Sequence, residues 1–245
     1  ITALVEQRRV RDDTPGLDVS WLAAMSGGNP QYLEALLDEH DRTHQAATPD
    51  TDTRRPGDRP LADLVRRQLS ELGTITQAAL EVAAVAGNDW PRLVLDELAP
   101  PAGVTAAFNA GLLVALPQQR TDFRHGAVQR VIYDGIAPGR RAELHHAVAQ
   151  LLTRHGHLAA TVAHHAIAAS ELDPQAAFTA ACRAAGEATG QGAHRDAAAW
   201  YAHARRAAEL LGPEGRVKAV QAAIGHADAL RLSGDPTQDE ALFAA

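Results

Sequence analysis

Apolar residues recur at helical spacing along most of this chain. In "LADLVRRQLSEL", Leu61, Leu64, Val65, Leu69 and Leu72 share one face, and Gly73 follows as a stop. "TQAALEVAAVAG" is apolar nearly all round and predicts a buried helix. "PRLVLDEL" predicts a short third helix with Pro91 at its start, and "VTAAFNAG" a fourth that Gly111 ends. "LLVAL" and "TDFR" then flank the polar "PQQR", a pattern of two short strands around a turn. "HGAVQRVIYDGI" returns to helix. From about Pro138 every apolar pattern is helical. Leu144, Val148, Leu151 and Leu152 make one face, and Ala197, Tyr201, Ala204, Ala208 and Leu211 another. Gly212 and Pro213 end the second, and Val217, Val220, Ile224 and Ala227 begin the next.

The expected fold class is therefore mainly helical, with one small β-hairpin. Short helices followed by a hairpin, over residues 61–137, are the order of a winged helix. Helices of about fifteen residues with alanines at their contacts, over 138–245, suggest stacked hairpins of tetratricopeptide type, with a plain helical bundle as the alternative. Upstream, residues 1–43 read as short helices, with Leu33, Leu36 and Leu37 on one face. The break "GGNP" lies among them. Gly27 or Gly28 can end one helix, Asn29 can cap the next, and Pro30 suits its first position. Residues 44–60 are polar, proline-rich and without periodicity, and read as a linker.

Composition narrows the function classes. The formal net charge of −7 argues against a protein built to coat nucleic acid. A single cysteine, Cys182, excludes an internal disulfide framework and suits a reducing, cytoplasmic setting. No apolar run is long enough for a membrane span, and "ITALVEQRRV" has no signal-peptide core. The absence of an initiator methionine predicts a piece of a longer protein. A phosphate-binding P-loop needs Gly-Lys-Ser/Thr, yet the only lysine, Lys218, precedes Ala219 within a helical pattern. Neither a G-x-S-x-G elbow nor an H-E-x-x-H helix occurs. Catalysis by this chain alone is not expected. Cys182 reads as a core residue. Of twelve histidines, six fall between His145 and His165, but His145 and His146 are adjacent and point apart on a helix, as do His164 and His165. A metal site is not expected there. His125 closes the second strand and opens a helix, where unpaired N–H groups favour an anion.

"SGGNPQYLEALL", "AALEVAAVAG", "AAFNAGLLVAL", "DFRHGAVQRVIYDGI" and "RRAELHHAVAQLL" occur in this order. As a set they resemble the signal-transduction ATPases with numerous domains (STAND), in particular large actinobacterial regulators that couple an ATPase module to a LuxR-type or antibiotic-regulatory DNA-binding domain. The resemblance implies that 1–43 end the helical lid of a nucleotide-binding module, that 61–137 are its winged helix, and that 138–245 begin a tetratricopeptide-like sensor array. It implies that Gly28, Asn29 and Pro30 lie against the adenine of bound ATP or ADP, and that His125 approaches the β-phosphate of ADP in the closed state. "FRHGAV" departs from the family's Met-His-Asp-like motif at Gly126, where an aspartate is usual. The P-loop lysine and the magnesium ligands would belong to a module upstream of Ile1. Implied partners are that module and an inducer or protein on the repeats. DNA would be bound only through a domain outside this chain, and a nucleotide-dependent oligomer is implied. The alternative reading is a free-standing helical-repeat scaffold that ignores nucleotide.

Overall fold

The computed structural model describes residue 33, residues 65–66 and residues 69–234 of the chain. The proposed lid, with Gly28, Asn29 and Pro30, and the linker 44–60 lie outside the described residues, Leu33 excepted, which is helical and buried. The chain divides into two compact units, residues 1–136 and 137–245.

The first unit is built on helix α1 (Thr74–Ala86). Gly73 is extended and offers no side-chain cap. The side-chain amide of Gln77 instead reaches back to the carbonyls of Leu69 and Leu72, at 2.9 and 3.1 Å, and ties the preceding turn to α1. Ala79, Leu80, Val82, Ala83, Ala84 and Val85 are all buried, as a helix apolar on every side must be. Gly87 ends α1 at φ 99°, a conformation that favours glycine. There follow β1 (Trp90–Pro91), α2 (Leu93–Leu98), α3 (Pro101–Asn109), β2 (Leu113–Leu116), β3 (Arg120–Phe123) and α4 (Gly126–Gly135). Helices α2, α3 and α4 all pack on α1.

The hairpin β2–β3 forms where the alternation places it. Gln118 and Gln119 both adopt positive φ, 58° and 55°, the paired left-handed conformation whose twist matches a tight hairpin. The sheet, however, has three strands in the order β1-β3-β2, all antiparallel. The added strand is Trp90–Pro91, so Pro91 does not start a helix as its position suggested. It pairs opposite Arg120 at the sheet edge, where a proline's missing N–H costs no ladder bond, and α2 starts at Leu93. The buried Trp90 ring lies 5.8 Å from that of Phe123, which anchors the strand.

The second unit is a run of helices joined by short turns. It comprises α5 (Pro138–Arg154), α6 (Ala159–Ala168), α7 (Pro174–Gly190), α8 (His194–Leu210), a 3-10 turn (Gly212–Gly215) and α9 (Arg216–Ser233). Each helix packs on the next in sequence. Asp173 caps α7, its carboxylate accepting from the Ala176 N–H at 2.9 Å, with Pro174 at the first helical position. The contacts are made by small residues. Ala177, Ala181, Ala204, Ala207, Ala208 and Ala222 form one cluster around Phe178. Cys182 packs against it, half-buried, and burial raises its thiol pKa, which suits a core residue. On α9 three of the four expected face residues are turned outward, and only Ala227 is buried as expected. Val217, Val220 and Ile224 are exposed, while Ala222, Ala223, Ala227 and Ala229 are buried. The reason is close approach: at Gly225 an added Cβ would stand 2.6 Å from the Tyr201 ring, and only small side chains fit such a contact. Among the described residues no helix is long and apolar enough to cross a membrane.

Gly103 marks an equally close contact in the first unit, because a Cβ there would fall on the carbonyl oxygen of Ile75. Backbone cannot yield as a side-chain tip can. Gly103→Ala should therefore destabilise the protein by about 1–3 kcal/mol, despite alanine's better helix propensity. Thermal or urea unfolding checks this, and a variant as stable as the wild type contradicts the packing described.

Candidate functional site

His125 stands where strand β3 gives way to α4. Its backbone is extended, φ −135° and ψ 117°, and its carbonyl accepts the Val128 N–H at 3.0 Å. Its imidazole does not cap the helix. Burial, and next the Arg124 guanidinium, lower its pKa and so favour the neutral ring. Arg124 is itself drawn aside, donating to the Gly111 carbonyl at 2.8 Å. The amides of Gly126 and Ala127, which open α4, precede the first intrahelical hydrogen bond. Gly126 is exposed, and a Cβ built there meets nothing within 4 Å, so the backbone has room for a side chain. Of the four sequence-derived site residues, His125 alone can be placed; Gly28, Asn29 and Pro30 lie outside the described residues.

Two histidines of the second unit form an interhelical contact. Each adjacent pair does diverge, but one member of each turns inward. His145 on α5 and His165 on α6 meet with their Nδ1 atoms 2.9 Å apart, both buried. His164 flanks them, its ring centroid 6.3 Å from that of His145 and 5.4 Å from that of His165. The contact can close only if one ring donates and the other accepts. Burial first, then the neighbouring His164 and Arg141, pushes His145 down to about 4. Burial first, then His145 and His164, pushes His165 down to about 3. Among the described residues no three His, Cys, Asp or Glu side chains are grouped to hold a metal ion. A signal was present in the sequence. His145 shares a helical face with Val148, Ala149 and Leu152, and His165 with Val162 and Ala169, so both occupy core positions.

A groove of about 710 Å³ opens over α5, α6 and α7. Buried Ala149 on α5 and Val162 and Ala166 on α6 line its base. One end carries His146 and Asp173, whose Nδ1 and Oδ2 lie 3.9 Å apart. Arg154 and Arg183 also line the groove. Arg183 donates to the His157 carbonyl at 3.3 Å, just past the end of α5. The volume lies within the range of about 300–1,000 Å³ usual for ligand sites. Compared with protein-family models, with curated proteins and with solved structures, the chain matches none of them.

The histidine pair makes the fold acid-sensitive in a definite direction. An unfolded histidine titrates near 6.5, whereas His145 and His165 stay neutral in the fold until about 4 and 3. Below 6.5 the unfolded chain thus binds more protons, and stability falls as pH falls. At about pH 5 each histidine should cost about 2 kcal/mol relative to neutral pH. Urea midpoints at the two pH values measure the loss, and His145→Leu/His165→Leu should flatten it. An unchanged pH slope in the double variant contradicts the assignment.

Proposed function

We propose that this chain is the regulatory part of an ATP/ADP-switched STAND-type regulator. In this reading its first unit is a winged helix that holds the closed, ADP-bound state, and its second begins a tetratricopeptide-like array that receives a protein or inducer. The observation that carries the reading is the order of the first unit. Helix, strand, two helices and two strands, with the last strand central in the sheet, is an order compatible with a winged helix and supports that reading. Consecutive helices that each pack on the next support the array.

The surface of α3 argues against direct DNA reading. In a DNA-binding winged helix this element enters the major groove, yet its exposed residues, Pro101, Ala102, Thr105 and Asn109, carry no positive charge. Nearby Arg92 is engaged, 4.8 Å from the Phe108 ring centroid and 3.0 Å from the Asp96 carboxylate. Phosphate contacts need available cations, so DNA binding is assigned to a domain outside this chain. Hydrolysis and magnesium binding are likewise assigned to an upstream P-loop module, and the proposed setting is the cytoplasm. The scaffold reading, which needs no nucleotide, draws on the groove over α5–α7.

His125 is the residue on which the switch turns. A neutral imidazole N–H that donates to a β-phosphate oxygen makes a hydrogen bond to a charged group, worth roughly 1.5–3 kcal/mol. In the intact protein His125→Ala should weaken ADP roughly ten- to a hundredfold and ATP less, and should raise inducer-free activity. Titration of both nucleotides tests this. Unchanged ADP affinity would leave His125 as an ordinary strand–helix junction.

A further inference from the structure

We propose that helix α9 pairs antiparallel with α9 of a second copy of this chain, across a two-fold axis that passes beside Ala222. The pairing goes beyond the function proposed above: it needs no nucleotide and uses no residue of the first unit.

The surface sets the first constraint. Val217, Val220 and Ile224 lie within about two turns of α9 and are 80%, 46% and 53% exposed. Single exposed apolar side chains are ordinary, but three on one side of a helix form a contiguous patch of the kind that marks an interface. The patch cannot be buried by turning α9 over. Ala222 and Ala229, on its other side, are packed among the alanines of α8.

Charge names the occupant. Arg216, Val220, Ile224 and Asp228 recur at every fourth residue and are all exposed, so they form one ridge of the helix surface, the unit by which helices pack. Along α9 the ridge runs cation, apolar, apolar, anion, with its midpoint at residue 222. Turned about that point onto a second copy, Val220 meets the second Ile224 and Arg216 meets the second Asp228, each contact made twice. Parallel pairing would set Arg216 against Arg216 and Asp228 against Asp228. The next exposed charges outward, Glu214 and Arg231, match in the same antiparallel sense. Within the chain Asp228 pairs with Arg231 at 3.7 Å, a long contact between exposed side chains, so little is lost when either turns to the second copy. A face that is its own complement is what a two-fold interface requires.

Size sets the strength. Six large apolar side chains with a charged rim fall below the roughly 1,200 Å² at which stable interfaces begin, so the dimer is weak, with a dissociation constant on the order of 10 μM. The net charge of −7 on each chain opposes association, but beyond about 8 Å it is screened at physiological ionic strength.

The test is sedimentation velocity on the full chain without nucleotide, from about 1 to about 300 μM. The mass should rise from one chain to two across this range. Ile224→Glu should be a monomer throughout, with an unchanged urea midpoint because the side chain is exposed. Arg216→Glu and Asp228→Arg should each weaken the dimer roughly tenfold, since the two-fold axis doubles every like-charge contact, and the double variant should recover to within about threefold of the wild type. A wild-type monomer at every concentration overturns the proposal, as does a dimer that survives Ile224→Glu or a double variant no tighter than the single ones. A monomer whose urea midpoint falls on Ile224→Glu assigns the patch to residues 235–245 of the same chain and overturns it too. None of these readouts involves nucleotide, so each result is separate from that of His125→Ala.

Discussion

Alanine-to-alanine contact between neighbouring helices is the constraint on which the second unit depends. Small side chains let the helix backbones approach closely, and they leave each helix with little apolar area to bury on any one neighbour. A helix such as α7 is therefore held from both sides, by α6 and by α8. Stability then comes from nearest-neighbour interfaces rather than from one large core, the principle that also governs repeat arrays. The groove follows from the same choice. Its base and walls carry Ala149, Ala166, Ala176 and Ala180 where larger side chains would fill the space between α5 and α7.

Against that apolar uniformity the buried His145–His165 contact fixes the register of α5 on α6. Alanine faces look alike after a slip, but a slip here would leave two buried ring nitrogens without partners, at roughly 1–3 kcal/mol each. The first unit solves its packing problem differently. It buries larger residues, Leu95, Leu113, Phe123 and Val128 among them, and its buried Trp90 ring joins the short first strand to Phe123 of the central one. That packing brings His125 to the entrance of α4, with the first amides of the helix behind it.

Much of this was legible from residue spacing. The mainly helical class, the hairpin around "PQQR" and the stops at Gly73 and Gly111 all rest on local chemistry, which a sequence carries openly. The strand at Trp90–Pro91 was not legible, because two residues cannot show alternation and the pairing with Thr121 and Arg120 is made at long range. The buried face of α9 was misread for a related reason. Hydrophobicity favoured Val217, Val220 and Ile224, whereas the spacing between α8 and α9 selects the smaller face. The histidines were judged one pair at a time along a helix, and their meeting is a tertiary event. The groove could not be found from local pattern at all, since its lining is drawn from three helices.

The close packing through alanine is tested most directly by adding volume where it leaves none. Ala181 is fully buried between α7 and α8, in contact with the alanines that join them. Ala181→Leu adds apolar area, which a loosely packed bundle would absorb with unchanged or higher stability. A stack held by backbone-close contact should instead lose about 1–3 kcal/mol, because the helices must part to admit the side chain. The urea unfolding midpoint of Ala181→Leu decides between them: a clear fall is predicted, and a midpoint equal to or above that of the wild type contradicts the account.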